Sequence, residues 1–326
     1  MFVSIVIAAY NAEPFLCELM DSILAQTHED FEAVIVDDGS TDRSLEILRG
    51  YEQRDARIRV ISQENQGASA ARNTAIEAAR AEWIALMDAD DTMEPNRLER
   101  QIVFVQDHPE LALAASMVIH IDAGGRELGR SVPTFTTDES IETAKQRGEV
   151  IGFHQNTVLM RKDVFEHVGG YRHEFWPGED MDLWNRIVYA GYNVRVQPEY
   201  LVRYRVHGSS ASVQTRQYRE NVRWIHQCIF NRQRGLPEPS KVDFLRAQRS
   251  QPLLRRLNVR RLDTSWILYR NATIYFATGK RLNAIWAIAR AVILDPVYVF
   301  PRLWRLVSSR LASNNSGSRA VSSSLS

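Results

Sequence analysis

The sequence predicts an α/β protein with a mostly parallel central sheet, followed by a helical C-terminal extension. Two observations lead to this prediction. Through the first hundred residues, short apolar runs alternate with helical patterns, and strands separated by helices favour a parallel sheet with both faces covered. Beyond about residue 214 only helical patterns remain, up to about Leu311. The chain therefore divides into a part that contains the sheet and a helical part.

Four apolar runs predict the first strands, and the patterns between them predict helices. In the first helix, Phe15, Leu19 and Ile23 recur at helical spacing. Ser40 or Thr41 is the expected N-cap of the second helix, and Pro95 the expected start of the fourth. The predicted strands are Phe2–Ala9, Phe31–Asp37, Ile58–Ser62 and Trp83–Met87. The predicted helices between them are Pro14–Gln26, Leu45–Glu52 and Ala68–Ala79.

After residue 112 the predicted elements become shorter, and glycines separate them. Gly124-Gly125 marks a turn after a strand, whereas Gly169-Gly170 and Gly191 end two helices. The predicted strands of this half are Leu113–Asp122, Asn156–Met160, Asn193–Gln197 and Leu201–Val206. The predicted helices are Arg161–Val168 and Asp180–Ala190.

The charge of the chain is unevenly divided, although Lys+Arg and Asp+Glu number 40 each. Residues 1–194 carry 17 basic and 34 acidic side chains, whereas residues 195–326 carry 23 basic and 6 acidic ones. A basic, tryptophan-containing helical end favours an anionic partner, such as a membrane surface or nucleic acid. Two solvated faces that attract each other would give the same division, so the sequence leaves both interpretations open.

The cysteine content indicates a reducing environment. Cys17 and Cys228 provide neither a disulfide framework nor the spacing of metal ligands, so we expect a cytoplasmic location. The first residues show no basic leader and no small-residue cleavage pattern, and their apolar run is too short to span a bilayer. We therefore expect no secretory signal peptide.

Two of the predicted strands end in clustered carboxylates. Asp37-Asp38 closes one strand, and Asp88, Asp90 and Asp91 follow another. Ligands of open parallel sheets bind beyond the carboxyl ends of the strands, so both sets are expected at one edge. Carboxylates suit Mg²⁺ or Mn²⁺, and Mg²⁺ is usually held by one or two carboxylates together with substrate phosphates. Turn formation and helix capping are the alternative, and they fit "DDGS" better than "DADD".

Glycine-rich phosphate loops are absent from the sequence. The first strand is followed by "AAYNAEP" rather than G-x-G-x-x-G, and no G-x-x-x-x-G-K-[ST] occurs. A phosphate-bearing ligand would then be held through a metal ion rather than by a glycine-rich loop.

Seven motifs in a fixed order resemble one known family. They are "VSIVIAAYNAEPFL", "FEAVIVDDGSTDRS", "NQGASAARNTAI", "WIALMDADDTMEP", "VGGYR", "GEDMDLWNRIVYAGY" and "YRVHGSSAS". Together they resemble the inverting glycosyltransferases of family 2, whose fold is called GT-A. The resemblance implies a GT-A domain over residues 1–212, with a nucleotide-sugar half at about 1–110 and an acceptor half at about 111–212. A helical region at 213–312 and a disordered tail at 313–326 complete the predicted organisation.

The resemblance implies that a nucleotide-diphosphate sugar, commonly a UDP-sugar, binds at the carboxyl edge of the sheet. By position, the backbone near Ala8 and Tyr10 borders the base, and Asp38 accepts a hydrogen bond from it. Asp88 lies near the ribose and the metal. Arg72 faces the diphosphate, although a surface position on its helix is an alternative.

The same resemblance implies a Mn²⁺ or Mg²⁺ ion as cofactor. Asp90, the last residue of the D-x-D motif, and His207 are the implied ligands. Asp91 is either an extra ligand or a residue that supports the site.

A carboxylate pair at a helix start is the implied catalytic element. Glu179 and Asp180 follow a glycine, and simple capping would also explain them, since a helix N-terminus favours carboxylates. The resemblance implies that Asp180 is the general base, which takes a proton from the acceptor hydroxyl as it attacks the anomeric carbon. The nucleotide diphosphate leaves from the opposite face, and this single displacement inverts the anomeric centre. Glu179, Trp176 and His154 are the implied acceptor-side residues.

The basic helical end allows two interpretations. Arg290 and Asp295-Pro296 interrupt its apolar run, so a membrane-spanning helix is not expected. An interfacial amphipathic helix on an anionic membrane is one interpretation, and a helical cap on the catalytic domain is the other. A nucleic-acid partner is not expected, because no recognised binding motif accompanies the arginines.

The predicted function is metal-dependent, inverting transfer of a sugar to a hydroxyl of a glycan or lipid-linked acceptor, in the cytoplasm or on the inner face of the plasma membrane. A non-catalytic, membrane-associated scaffold protein of polysaccharide assembly is the alternative. Glycoside hydrolases also use paired carboxylates, but a D-x-D pattern at a sheet edge fits them poorly.

Overall fold

The computed structural model describes residues 1–207 and 215–304, and the strands within them form one sheet. The strands are β1 (Val3–Ala9), β2 (Phe31–Asp37), β3 (Ile58–Ser62), β4 (Trp83–Asp88), β5 (Thr92–Met93), β6 (Leu111–Ile121), β7 (Glu127–Ser131), β8 (Leu159–Arg161) and β9 (Asn193–Arg205). Their order is β3-β2-β1-β4-β8-β6-β9-β5, and β7 pairs with β6.

The helices up to Tyr189 alternate with strands along the sequence, and those from Thr215 onward follow the last strand. They are α1 (Glu13–Leu24), α2 (Ser44–Arg54), α3 (Ala68–Ala78), α4 (Arg97–Asp107), α5 (Asp138–Gln146), α6 (Lys162–His167), α7 (Glu179–Tyr189), α8 (Thr215–Arg232), α9 (Lys241–Arg249), α10 (Leu253–Ala277) and α11 (Arg281–Leu294). Short 3₁₀ turns occupy Gln155–Thr157 and His173–Phe175.

The first four long strands are parallel, as the alternation of strands and helices predicts. β1 lies between β2 and β4, and β3 pairs with β2. The second half of the sheet is mixed, because β8 runs antiparallel to both β4 and β6, whereas β9 runs parallel to β6. The carboxyl ends of β1, β2 and β4 therefore meet at one edge.

Helices cover both faces of the sheet. On one face α1, α2 and α4 bury side chains such as Leu16 and Leu98. On the other face α3, α6 and α7 bury side chains such as Ala75 and Trp184. Strands covered on both faces are apolar throughout, which explains why β1 and β2 bury nearly every residue.

The two strands predicted at Asn193–Gln197 and Leu201–Val206 are one continuous strand, β9. Pro198 lies between them and cannot donate a ladder hydrogen bond. The ladder with β6 accommodates it by a register shift, which carries the pairing from Val196 to Tyr200. The proline therefore bends the ladder without ending the strand.

The strand predicted at Asn156–Met160 is also corrected. Its first residues form the 3₁₀ turn at Gln155–Thr157, and only Leu159–Arg161 pairs with neighbouring strands. This turn carries polar side chains towards the edge of the sheet, where the candidate site lies.

The predicted N-cap of the second helix is wrong. α2 begins at Ser44, its N-cap position is Arg43, and it has no side-chain cap. The hydroxyl of Ser40 instead accepts a hydrogen bond from the amide of Asn11 at 3.0 Å. The Asn11 side chain in turn accepts from the amide of Thr41 at 2.8 Å, and its φ of 49° lies in the left-handed region that Asn tolerates. These hydrogen bonds therefore join the loop after β1 to the loop after β2.

The chain divides into two compact units, Met1–Phe244 and the residues from Leu245 onward. The sequence predicts that the catalytic domain ends at residue 212, which lies outside the described residues. In the structure, α8 belongs to the first unit together with the sheet. The predicted tail at 313–326 lies outside the described residues too. In the second unit α10 and α11 pack on each other, and the Ser265 hydroxyl donates to the carbonyl of Ala291 at 2.8 Å. Within the described ranges, none of the helices combines the length and the apolar character needed to cross a bilayer.

Candidate active site

Two groups of carboxylates define the candidate site. The β4 cluster lies at the end of β4 and consists of Asp88, the last residue of that strand, together with Asp90 and Asp91. The α7 cluster opens α7 and consists of Glu179, Asp180 and Asp182. Gly178 precedes α7 with a φ of 117°, a backbone conformation that glycine adopts without strain. The chain can therefore turn sharply into the helix and present the carboxylates in its first turn.

A single arginine links the two clusters. Arg72 on α3 donates to Asp88 Oδ1 at 3.1 Å and to Glu179 Oε1 at 2.6 Å. Its side chain is only 14% exposed. Burial alone would lower the pKa of Arg72, but the charges of Asp88 and Glu179 outweigh burial and raise it. Arg72 thus stays charged and joins two segments that are far apart in the sequence.

Tyr171 lies beside this arginine. Its ring centroid is 5.7 Å from the guanidinium carbon of Arg72, and its buried hydroxyl has no hydrogen-bond partner in the described part of the chain. The side chain of Asn73 holds the Tyr171 amide and carbonyl, each at 2.9 Å. Burial raises the pKa of Tyr171, so a neutral phenol borders the α7 cluster. The sequence analysis used the "VGGYR" motif but gave Tyr171 no role.

Asp90 and His207 form a close pair. His207 Nε2 lies 2.8 Å from Asp90 Oδ2, and the His207 ring lies 4.7 Å from the ring of Phe15. Asp90 is the more accessible partner, with 30% of its side chain exposed. Within the described residues, no three His, Cys, Asp or Glu side chains converge on one point. Asp90 and His207 thus form a pair rather than a larger cluster, and the metal site stays a prediction.

Asp91 has a supporting position. It is 1% exposed, and it accepts hydrogen bonds from the amide of Arg205 at 2.7 Å and from the side chain of Asn156. Burial, together with the charges of Asp90 and Asp88, raises the pKa of Asp91 well above its usual value. Of the two expectations for Asp91, a residue that supports the site fits these contacts, whereas an extra ligand does not.

Arg205 ties the β4 cluster to the end of β9, and the sequence analysis missed it. Its buried guanidinium donates to the carbonyl of Asp90 at 2.8 Å and to Glu18 Oε2 at 2.6 Å. It also donates to the carbonyls that follow β6, Asp122 at 3.2 Å and Ala123 at 3.0 Å. Since His207 follows two residues later, these bonds fix both partners of the Asp90–His207 pair.

A second buried arginine lies near the β4 cluster. Arg97 on α4 is fully buried and donates to the carbonyl of Leu86 and to Gln101 Oε1, each at 3.0 Å. Burial lowers the pKa of Arg97 to about 9, and the charges of Asp88 and Asp91 oppose that effect. Sequence reasoning could not find this charge, since an arginine on an amphipathic helix normally faces solvent.

Asp180 is the carboxylate of the α7 cluster that has no arginine partner among the described residues. It is half-buried, and its Oδ1 accepts from the amide of Met181 at 2.7 Å. Burial, followed by the charge of Glu179, raises the pKa of Asp180 to about 7. The Met181 amide and the charge of Arg72 act in the opposite direction, and the charge of Asp88 raises it further. A carboxylate with this pKa can exchange a proton near neutral pH.

Asp182, by contrast, has structural contacts. It is 2% exposed and forms ion pairs with Arg172 and with Arg186, the latter at 2.9 Å. Arg172 also bonds Glu238 at 2.9 Å. These pairs tie the start of α7 to the segment that follows α8.

The predicted base-binding residues lie at the neighbouring strand ends. Ala8 on β1 pairs with Asp88 on β4, and Tyr10, which follows β1, is 52% exposed. Asp38 is buried, and its carboxylate accepts from the amides of Gln66 at 2.9 Å and Gly67 at 2.8 Å. Asp38 thus anchors the loop before α3, and its contact with a base stays a prediction.

The predicted acceptor residues separate into two places. Trp176 lines a cavity of about 370 Å³, and His154 does not. His154 lies instead among aromatic rings, 5.2 Å from Tyr204 and 6.0 Å from His120. The other residues that line the cavity are Gln66, Gly67, Ala68, Ser69, His173, Glu174, Gln217 and Lys241.

Solved structures with the same architecture define the class of fold. The S. aureus TarS fragment 1–349 in complex with UDP-GlcNAc has a TM-score of 0.58 at 17% identity, over 90% of this chain and 89% of that one. The mannosyltransferase PcManGT from Pyrobaculum calidifontis, in complex with GDP-Man and Mn²⁺, has a TM-score of 0.55 at 18% identity, over 95% of this chain and 80% of that one. The fold is therefore the GT-A fold, as the resemblance implied.

Sequence comparison then gives the family. The model described as "Glycosyl transferase family 2" matches residues 4–169, and one described as "N-terminal domain of galactosyltransferase" matches residues 143–208. The putative glycosyltransferase EpsH of Bacillus subtilis is 33% identical over 64% of this chain and 62% of its own length. The uncharacterized glycosyltransferase MJ1057 of Methanocaldococcus jannaschii is 32% identical over 63% of this chain and 70% of its own length. The chain belongs to glycosyl transferase family 2.

Proposed function

We propose that the protein transfers a sugar from a nucleotide-diphosphate donor to a hydroxyl of an acceptor, with inversion and with help from a divalent metal ion. One observation carries the proposal: Arg72 joins the β4 cluster to the α7 cluster, where Asp180 has a pKa of about 7. A site for a diphosphate and a proton acceptor thereby occupy one polar region. Neighbours of the same fold bind UDP-GlcNAc and GDP-Man, which supports a nucleotide-sugar donor.

Asp180 is the proposed general base. A base works best when its pKa lies near the operating pH, and burial beside Glu179 brings Asp180 to that range. Glu179 is held by Arg72 at 2.6 Å and is therefore less suited to take a proton. Removal of the acceptor's proton by Asp180, while the nucleotide diphosphate leaves from the opposite face, inverts the anomeric centre.

The Asp90–His207 pair fits a divalent metal ion. Two ligand atoms on a Mg²⁺-like octahedron with bonds of about 2.1 Å lie about 3 Å apart, and the observed separation is 2.8 Å. A carboxylate and an imidazole both suit Mn²⁺, and the remaining positions would belong to water and diphosphate oxygens. When bound, the ion would offset the negative charge that develops on the leaving group.

The donor contacts in the proposal follow the strand ends. Ala8 and Tyr10 would border the base, with Asp38 as its hydrogen-bond partner. Asp88 would lie near the ribose, and Arg72 would face the diphosphate. UDP is the preferred nucleotide in the proposal, and GDP is the competing one.

The acceptor in the proposal is a glycan or a lipid-linked glycan. Trp176, which lines the cavity of about 370 Å³, offers an aromatic surface to a sugar ring, and Glu179 would orient the attacking hydroxyl. His154 is less suited to bind the acceptor, because its ring packs with His120 and Tyr204. The two free cysteines favour a cytoplasmic location, and contact with the inner face of the plasma membrane is part of the same proposal.

Nucleotide binding with and without metal tests the proposal. We expect Mn²⁺ to strengthen the binding of UDP or GDP, measured by calorimetry. Asp90→Ala should remove that strengthening, whereas Asp180→Asn should keep it and lose sugar transfer. Asp107→Asn, an exposed acid on α4, is the matched control and should change neither. Equal loss of nucleotide binding in the Asp90 and Asp180 variants would contradict the division of roles.

A further inference from the structure

α11 presents four of its large apolar side chains to solvent. Leu282, Ile285, Trp286 and Ile293 lie on it at spacings of three, four and seven residues, which place them on one side of a helix. These four residues, named here the outward face of α11, are between 63% and 79% exposed. Exposed apolar residues are common singly, whereas several on one side indicate a binding surface.

The opposite side of α11 explains why these residues point outward. Ala284, Ala287 and Ala291 are buried, and the carbonyl of Ala291 accepts the hydroxyl of Ser265 on α10 at 2.8 Å. α11 therefore packs on α10 through its small side chains. The four exposed residues therefore lie on the side of α11 opposite to the buried alanines.

The surroundings of this face are strongly basic. Residues 245–304 carry 11 Lys and Arg against 2 Asp and Glu, and one of the two acids, Asp263, is buried. On α11 itself, Arg281 and Arg290 are exposed. In the following helical stretch, residues 296–304, Phe300 and Trp304 are exposed by 59% and 74%.

We propose that the outward face of α11 binds the surface of an anionic lipid bilayer, with Trp286 and its apolar neighbours in the interfacial layer and the arginines on the headgroups. Helices that lie in this layer combine tryptophan and aliphatic residues with basic side chains. Each Lys or Arg near an anionic surface adds attraction. This binding surface is a property of the second unit alone and does not depend on the proposed reaction.

A second copy of the chain is a poorer occupant of this face. A twofold dimer brings the same patch of each chain together, so the basic residues around α11 would face their own copies. That like-charge arrangement opposes association, whereas an anionic bilayer is complementary to it.

Vesicle sedimentation of the full chain tests the inference without any sugar donor. The vesicles are phosphatidylcholine alone and phosphatidylcholine mixed with phosphatidylglycerol. We expect binding to the mixed vesicles and little binding to phosphatidylcholine. The double variant Ile285→Ser/Trp286→Ser should weaken binding by about tenfold or more, since it removes apolar surface from the interfacial layer. The double variant Arg281→Gln/Arg290→Gln should weaken it by about tenfold or more on the mixed vesicles only, because about 1 kcal/mol is expected for each charge.

The control is Val132→Ser/Leu236→Ser, which changes two exposed apolar residues of the first unit and should leave vesicle binding unchanged. Circular dichroism checks that each variant retains its helices. Failure of the unaltered chain to bind the mixed vesicles overturns the inference, as does binding that the Ile285/Trp286 variant retains. A solution mass that corresponds to a dimer, and falls to that of a monomer in this variant, would assign the face to a second copy instead.

Discussion

The β4 cluster and the α7 cluster each hold three carboxylates close together, and they differ in the partners of these carboxylates. Each contains one carboxylate that Arg72 binds, Asp88 in the first and Glu179 in the second. Each also contains one buried carboxylate with structural contacts, and one that has no arginine partner in the part of the chain that the structure describes. The residue without an arginine differs in its surroundings, since Asp90 lies against an imidazole whereas Asp180 accepts a hydrogen bond from an amide of its own helix.

This difference indicates two kinds of chemistry. A carboxylate beside a histidine and open to solvent is suited to a cation, because both side chains can turn their lone pairs to one ion. A carboxylate that is partly desolvated beside another acid has a raised pKa and is suited to a proton. Arg72 allows both to exist in one site, because it neutralises the acid next to each of them.

The largest expected effect is on Asp180. Asp180→Asn should lower kcat by roughly 10²–10⁴-fold, because the amide cannot accept the proton, while nucleotide binding in the presence of Mn²⁺ stays unchanged. Transfer kinetics with calorimetry of the same preparation measure both. Asp163→Asn, an exposed acid on α6 whose partner is the exposed Arg161, is the control. A fully active Asp180→Asn would remove Asp180 as the proposed base.

Asp90 should show the converse pattern. Asp90→Ala should weaken Mn²⁺ binding by on the order of 100-fold, because one of two protein ligands is lost. Titration of Mn²⁺ followed by electron paramagnetic resonance measures the ion directly, without turnover. His207→Ala should give a loss of the same order. If neither change affects the Mn²⁺ affinity, the ion binds elsewhere. The β4 cluster would then not differ from the α7 cluster by binding a metal.

Arg205→Lys should produce a smaller effect on the same ion. Lysine keeps the charge but cannot reproduce the bonds to the Asp90 carbonyl and to Glu18, so the Asp90–His207 pair loses its fixed geometry. We expect Mn²⁺ affinity to fall by about 10-fold or more. Glu18→Gln, which changes the exposed partner only, should have less effect. Melting curves separate this loss from unfolding, and an unchanged Mn²⁺ affinity in folded Arg205→Lys would deny the positioning role.

The smallest expected effect is the pH dependence of the unaltered protein. Because the base must be ionised, kcat/KM should rise as the pH increases through about 7 and level off above it. The change between one pH unit below and one above that value is about tenfold. Burial raises the pKa of Asp180 most, the charges of Glu179 and Asp88 raise it further, and the Met181 amide and Arg72 lower it. A profile that is flat through pH 7 would show that Asp180 has an ordinary pKa.

The sequence predicted the parallel half of the fold well, because its signals are local. Buried strands of a covered sheet appear as apolar runs, and helices appear as periodic patterns between them. The elements that it missed have weak local signals. β7 has no fully buried residue, β5 has only two residues, and α5 has few apolar residues.

The candidate site was predicted in part. Motifs at strand ends and at the start of α7 indicated the carboxylates, because the topology brings those ends to one edge. The partners of each carboxylate were not visible, since they depend on contacts between distant segments. Arg205, for example, donates to Glu18, which lies far from it in the sequence. The N-cap of α2 was also misassigned, because the helix begins at Ser44 and Ser40 instead binds the loop after β1.

The position of Arg72 has one more consequence. Its positive charge lowers the proton affinity of Asp180, and an anion that binds beside it would cancel part of that influence. Arrival of a diphosphate would therefore make Asp180 a stronger base, and by reciprocity a protonated Asp180 would favour the diphosphate. The titration seen in kcat should then lie at a higher pH than the one seen in kcat/KM, because the proposed diphosphate site and the proposed base would interact through their charges.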